Sequence, residues 1–117
     1  MYLREVRDIL SATVLSGEES LELEVHSACG SDFMSDVLAY VKDQALLLTG
    51  LVNPQVVRTA EMMEMKCIVF VRGKTPDDSI VQLAKQRDIA LLATPYRLFT
   101  ACGLLYTNGL RGGCELE

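Results

Sequence analysis

Three short apolar runs constrain this chain more than any other feature. They are Ala45-Leu46-Leu47-Leu48-Thr49, Cys67-Ile68-Val69-Phe70-Val71 and Ala90-Leu91-Leu92-Ala93. Each is followed within a few residues by a polar residue and proline: Asn53-Pro54, Thr75-Pro76 and Thr94-Pro95. Asn and Thr side chains accept from the first free N–H groups of a helix, and proline at the first helical position gives up no bond. From residue 45 the chain therefore reads strand then helix, three times over. Uninterrupted apolar strands are buried on both faces, and parallel neighbours need a helical crossover. The expected fold class is α/β, a three-layer α/β/α domain with a largely parallel central sheet and mixed strands at one edge.

Upstream, Tyr2 to Leu10 suits an amphipathic helix with Leu3, Val6, Ile9 and Leu10 on one side. Thr13-Val14-Leu15 is a short strand, and Gly17-Glu18-Glu19 marks a turn. Leu21 to Ala28 alternates, with Leu21, Leu23 and Val25 opposite Glu22, Glu24 and His26, and predicts a strand with one wet face. Ser31 is the expected cap of a helix from about Asp32 to Lys42, whose stripe is Met34, Val37, Leu38 and Val41. After Pro54, Val56, Ala60 and Met63 share a face. After Pro76, Ile80, Leu83 and Ala84 face inward; Asp77 and Asp78 suit the positive helix start, Lys85 and Arg87 the negative end. In the last helix Leu98, Cys102 and Leu105 face inward, with Phe99 and Tyr106 close by, and Asn108-Gly109 ends it. One domain is expected over residues 1–110, with 111–117 a flexible tail whose final Leu116-Glu117 reads as a cloning remnant.

Sixteen acidic and eleven basic residues give a net charge of −5. Sequence-independent nucleic-acid binding needs excess Lys and Arg to displace counterions, so DNA and RNA are excluded as partners. No apolar segment approaches the roughly twenty residues that span a bilayer, and Met1 to Ile9 is too charged for a signal peptide. A cytoplasmic protein without membrane partners is expected. Cys29, Cys67, Cys102 and Cys114 are widely spaced and expected to be reduced, and with His26 they show no metal-ligand spacing.

Parallel strands would gather the loops that follow them along one edge, where open α/β folds bind ligands. The candidate ligand-binding residues there are Thr49, Gly50, Arg72, Gly73, Lys74 and Thr94, beside Tyr96 and Arg97. Arg72 and Lys74 add positive charge to an acidic chain, so the edge suits an anionic small molecule or nucleotide. The alternative is that the glycines relieve turns and the cations are merely solvated. Ser31, Asp32, Ser35 and Asp36 form a second cluster, read either as a helix start or as a ligand or subunit contact. No catalytic residue is assigned. His26 suits a surface strand, and Cys29 three residues on is not a recognised catalytic pairing. Cys67 and Cys102 fall on apolar faces. GxGxxG, GxxxxGK[ST] and GxSxG are absent, so phosphoryl transfer and serine-hydrolase chemistry have no motif support.

Together, Val41-Lys42-Asp43-Gln44-Ala45-Leu46-Leu47-Leu48-Thr49-Gly50, Cys67-Ile68-Val69-Phe70-Val71-Arg72-Gly73-Lys74-Thr75-Pro76 and Ile89-Ala90-Leu91-Leu92-Ala93-Thr94 resemble a DRTGG domain. Ser31-Asp32-Phe33-Met34-Ser35-Asp36-Val37-Leu38 fits the same family, and the resemblance runs from about Leu3 to Leu110. The family's Gly-Asp-Arg stands here as Gly50-Leu51-Val52 and its Thr-Gly-Gly as Arg72-Gly73-Lys74, so only the glycines match. Ligand roles of the family's Asp and Arg therefore do not carry over. The resemblance implies a fold related to the N-terminal domain of HPr kinase/phosphorylase, without the kinase activity of its separate P-loop domain. It also implies a regulatory, dimer-forming part, as in pyrophosphatases with CBS pairs and ahead of phosphotransacetylase domains. Single-domain relatives near iron-hydrogenase genes in anaerobes imply a redox or hydrogen-metabolism setting.

The expectation is a non-enzymatic regulatory or protein-interaction module with no resident cofactor. It would pair as a homodimer through Phe33, Met34, Met62, Met65 and the 96–106 helix. Alternatives are a sensor of an anionic small molecule or nucleotide at the strand ends, an accessory to anaerobic redox or hydrogenase proteins, and an enzyme using Cys29 or His26.

Overall fold

A computed structural model describes residues 1–40 and 45–113. The order of elements is α1 (Leu3–Ile9), β1 (Thr13–Ser16), β2 (Ser27–Gly30), α2 (Met34–Tyr40), β3 (Ala45–Thr49), α3 (Pro54–Met62), β4 (Cys67–Phe70), α4 (Asp78–Gln86), β5 (Ala90–Ala93) and α5 (Leu98–Thr107). The five-stranded sheet runs β1-β5-β4-β3-β2. β2 through β5 are parallel to their neighbours, and β1 closes one edge antiparallel to β5.

Strand side chains alternate between faces, so each apolar run feeds two cores. On one face Leu46, Leu48, Val69 and Leu92 pack with Leu3, Val6 and Leu10 of the α1 segment and with Ala101 and Leu105 of α5. On the other, Leu47, Ile68, Phe70 and Leu91 pack with Met34 and Val37 of α2, Val56, Val57 and Ala60 of α3, and Ile80 and Ala84 of α4. This is the expected three-layer α/β/α architecture. Among the described residues no helix is long and apolar enough to cross a membrane.

Several local readings are corrected. The strand expected over Leu21–Ala28 begins only at Ser27. The alternating stretch before it serves α1 instead: the Leu3 and Arg4 N–H groups donate to the Leu23 and Leu21 carbonyls, and Val25 N–H to Met1 O. Val25 is buried while Leu23 is exposed. Of the three proline starts, only Asn53-Pro54 behaves as expected, with Asn53 Oδ1 accepting from Val56 N–H at 3.2 Å. α4 starts after Asp77, whose carboxylate accepts from Ile80 N–H. α5 starts after Arg97. Ser31 does not cap α2, which begins at Met34; its hydroxyl oxygen accepts from Phe33 N–H. Val41 and Lys42, the expected end of that helix, lie outside the described residues.

Met34 and Met65, proposed as dimer contacts, are 7% and 3% exposed and belong to the core. Met62 and Phe33 do face outward. In α5, Ala101 and Leu105 are buried and Leu98 and Cys102 only half-buried. Phe99, placed near the inner face, is 90% exposed, and Tyr106 is exposed as well. Gly109, with φ 109°, follows α5 as expected. Arg111, assigned to the tail, bridges to Ser27, and its carbonyl accepts from Ala28 N–H. Cys114 to Glu117 lie outside the described residues.

Candidate functional site

The parallel register brings Gly30, Thr49, Phe70 and Ala93 to one edge of the sheet. Past β4 the chain turns through Arg72 and Gly73, both with positive φ (62° and 69°), and Lys74 N–H donates back to Val71 O at 3.3 Å. Two successive positive φ angles are the requirement of a type I′ turn. Glycine meets it freely, whereas an arginine there is strained. The strain is held by neighbours: Arg72 N–H donates to Tyr96 O at 2.7 Å and Gly73 N–H to Thr94 O at 2.9 Å.

Gly50 is the centre of this rim. Its N–H donates to Asp32 Oδ1 at 2.7 Å, and Thr49 Oγ1 donates to the same oxygen at 3.0 Å. Leu51 N–H donates to Thr49 Oγ1. The Gly50 carbonyl accepts from Lys74 Nζ at 2.8 Å. The Arg72 guanidinium lies so close to the Gly50 Cα that a Cβ there would collide with it. Neither Arg72 nor Lys74 forms an ion pair among the described residues.

The structure therefore joins Thr49, Gly50, Arg72, Gly73 and Lys74 and adds Asp32 from the second cluster. Ser35 and Asp36 sit exposed on α2 and make no side-chain hydrogen bond to the rim. Thr94 is buried, and its hydroxyl donates to Leu10 O at 2.6 Å, tying the end of α1 to the tip of β5. The sequence reading missed that Asp32 links the two clusters. Its signal was an Asp in the loop after a strand, where a carboxylate can reach the next strand tip. It also missed the Tyr96 carbonyl, which carries no side-chain signal.

The chemically reactive side chains lie elsewhere. His26 is exposed, with Nε2 3.9 Å from Glu24 Oε1. Burial pushes the Cys29 thiol pKa up, helped by the Asp36 charge; burial does the same for Cys102, helped by Cys29. Burial alone raises Cys67 far above the ordinary thiol range. A thiol held protonated is a poor nucleophile. Among the described residues, no three His, Cys, Asp or Glu side chains group as a metal-binding set. A cleft of about 170 Å³ separates α5 from the β2 edge, lined by Gly30, Leu48, Cys102, Leu105, Tyr106 and Arg111 among others. The Arg111 guanidinium stacks 3.9 Å above the Tyr106 ring.

Comparison with curated protein sequences finds no match. Among solved structures, the chain is similar to the CBS and DRTGG domains of the regulatory region of Clostridium perfringens pyrophosphatase, complexed with its activator diadenosine tetraphosphate. The TM-score is 0.71 at 20% identity, over 89% of this chain and 45% of that one. At this identity the likeness establishes the fold, and this chain spans less than half of its neighbour's length. The DRTGG domain model matches residues 5–107, which hold all five strands and every helix apart from Leu3 and Arg4 of α1. With that match and the shared fold, the chain belongs to the DRTGG domain family.

Proposed function

We propose that this chain is a non-enzymatic regulatory module that works as a homodimer, pairing through the outer face of α5. The observation that carries this reading is Phe99, 90% exposed on a helix with no charged residue from Leu98 to Thr107. In a chain of net charge −5, this is a face that a second copy can approach without like-charge repulsion. Gly103 supports it. A glycine inside a helix costs about 1 kcal/mol relative to alanine. Nothing lies within 4 Å of where its Cβ would be, so the fold itself does not require it. A second helix crossing at Gly103 would use the space and bury Phe99 and Tyr106, at roughly 150–250 Å² per aromatic ring. A regulatory role is supported by family membership and by a neighbour whose DRTGG domain lies in a regulatory region. Burial raises the Cys29 and Cys102 thiol pKa values, which speaks against either as a nucleophile. Light scattering at micromolar concentration is expected to give a dimer; monomer alone removes this reading.

A second reading has its own observation. Arg72 and Lys74 converge on Gly50 without a carboxylate partner, on an edge where parallel sheets bind ligands. The rim would then take an anionic group of a regulatory ligand. Thermal shifts with nucleotides and phosphorylated metabolites test it. Saturable stabilisation lost in Arg72→Ala and Lys74→Ala supports the reading; stabilisation that survives both counts against it.

A further inference from the structure

We propose that Asp32 is a built-in stand-in for the ligand's anion, and that binding at the rim displaces its carboxylate. The inference rests on the second reading above. The Thr49 hydroxyl and the Gly50 N–H sit at the C-terminal tip of a parallel strand and converge on one oxygen, Asp32 Oδ1, at 3.0 and 2.7 Å. Two donors converging on one oxygen are what a phosphate or carboxylate oxygen of a ligand would use, and such charge-assisted bonds are the strong ones. The Arg72 guanidinium lies against the Gly50 Cα, and the Lys74 ammonium donates to the Gly50 carbonyl. The free protein thus holds its own carboxylate on one side of Gly50, while the two cations that approach the same residue form no ion pair with it.

Two consequences follow. A ligand anion has to compete with Asp32, so apparent affinity falls by the fraction of molecules in which the carboxylate has withdrawn; if about one in ten has done so, the loss is about tenfold. Withdrawal also moves the Ser31–Phe33 loop. Phe33 is 71% exposed and immediately precedes α2, so occupancy of the rim is passed to an apolar surface residue.

The test is titration with inorganic pyrophosphate, followed by calorimetry and by backbone amide resonances, on the wild type and on Asp32→Asn, Asp32→Ala and Asp36→Asn. Asn keeps an acceptor oxygen for Thr49 and Gly50 and so guards the fold; thermal unfolding checks each variant. Asp32→Ala is expected to bind about tenfold tighter than wild type, and Asp32→Asn, whose neutral oxygen still occupies the two donors, to gain less. Asp36→Asn, which removes a nearby charge that makes no bond to the rim, is expected to stay within about twofold. In the wild type, pyrophosphate is expected to shift the Ser31, Asp32 and Phe33 amides to saturation. Equal or weaker binding by both Asp32 variants, while Arg72→Ala and Lys74→Ala abolish it, overturns the displaced carboxylate and leaves the rim reading standing. A gain in Asp36→Asn equal to that in Asp32→Ala reduces the effect to net charge and also overturns it. Absence of binding in the wild type and both Asp32 variants ends the rim reading and this inference together.

Discussion

Ser11, Glu64, Arg72 and Asp88 hold positive φ without being glycine. Glu64 and Asp88 follow Met63 and Arg87, the C-caps of α3 and α4, where the chain must turn left-handed to leave the helix. A side chain with a Cβ pays about 1–2 kcal/mol for that conformation, less when it is Asp. Glu64→Gly is therefore expected to stabilise the protein by about 1 kcal/mol, and Asp88→Gly by less. Urea midpoints at unchanged slope would measure both; a lower midpoint for Glu64→Gly refutes the strain account. Glu64 did not stand out in the sequence, because Glu does not mark a left-handed residue as Gly, Asn or Asp does, and Asp88 is only a weak mark of one. Arg72 carries the same strain at the rim, where a glycine would relax the turn but remove a cation. Arg72→Gly should raise the urea midpoint and weaken anion binding together, a separation of stability from function typical of strained functional positions.

Helix starts show where local reading worked and where distance defeated it. Asn53-Pro54 was legible because its cap and its proline act within three residues. Thr94 was not, because its hydroxyl answers to Leu10, 84 residues away in the chain. At α4 the nearer and stronger acceptor won: Asp77 displaced Thr75 as the cap. The Ser79 hydroxyl and then the Ile80 N–H hold the Asp77 carboxyl pKa below the ordinary carboxylate value. The folded state therefore binds fewer protons here than the unfolded chain. The resulting stability is present above the unfolded value of about 3.9 and is lost as pH falls through the lower folded value. Asp77→Ala is expected to lower the melting temperature at pH 7, with the difference from wild type shrinking as pH falls below about 4. A gap that persists unchanged in acid would mean that the charge of Asp77 contributes nothing to the cap. The Leu21–Ala28 alternation failed differently: period two says that one face is buried but not against what. Here it met the start of α1 instead of a neighbouring strand.

The layered fold was readable because three wholly apolar strands have one economical arrangement, a sheet covered on both faces, and both cores obey it. The rim was readable in outline for the same reason, since parallel strands end together. Its wiring was not, because Asp32 to Gly50 and Lys74 to Gly50 are contacts between loops that no periodicity encodes. The outer face of α5 was misread because ten uncharged residues offer no polar side to orient the helix. That ambiguity makes α5 the place to separate folding from assembly. Leu105 is buried against the sheet, whereas Phe99 projects outward from the same helix. Leu105→Ala should cost about 2–5 kcal/mol, as large-to-small core changes do. Phe99→Glu touches no core contact, so the fold of each protomer should change by no more than about 0.5 kcal/mol. It should nevertheless leave only monomer if the protein pairs as proposed, because pairing through α5 would bury that carboxylate without a partner. Sedimentation velocity read beside urea denaturation in the monomer range distinguishes the two effects. A Phe99→Glu protein that still sediments as a dimer would place the pairing surface elsewhere, with Phe33 and Met62 the most exposed of the apolar side chains left to carry it among the described residues.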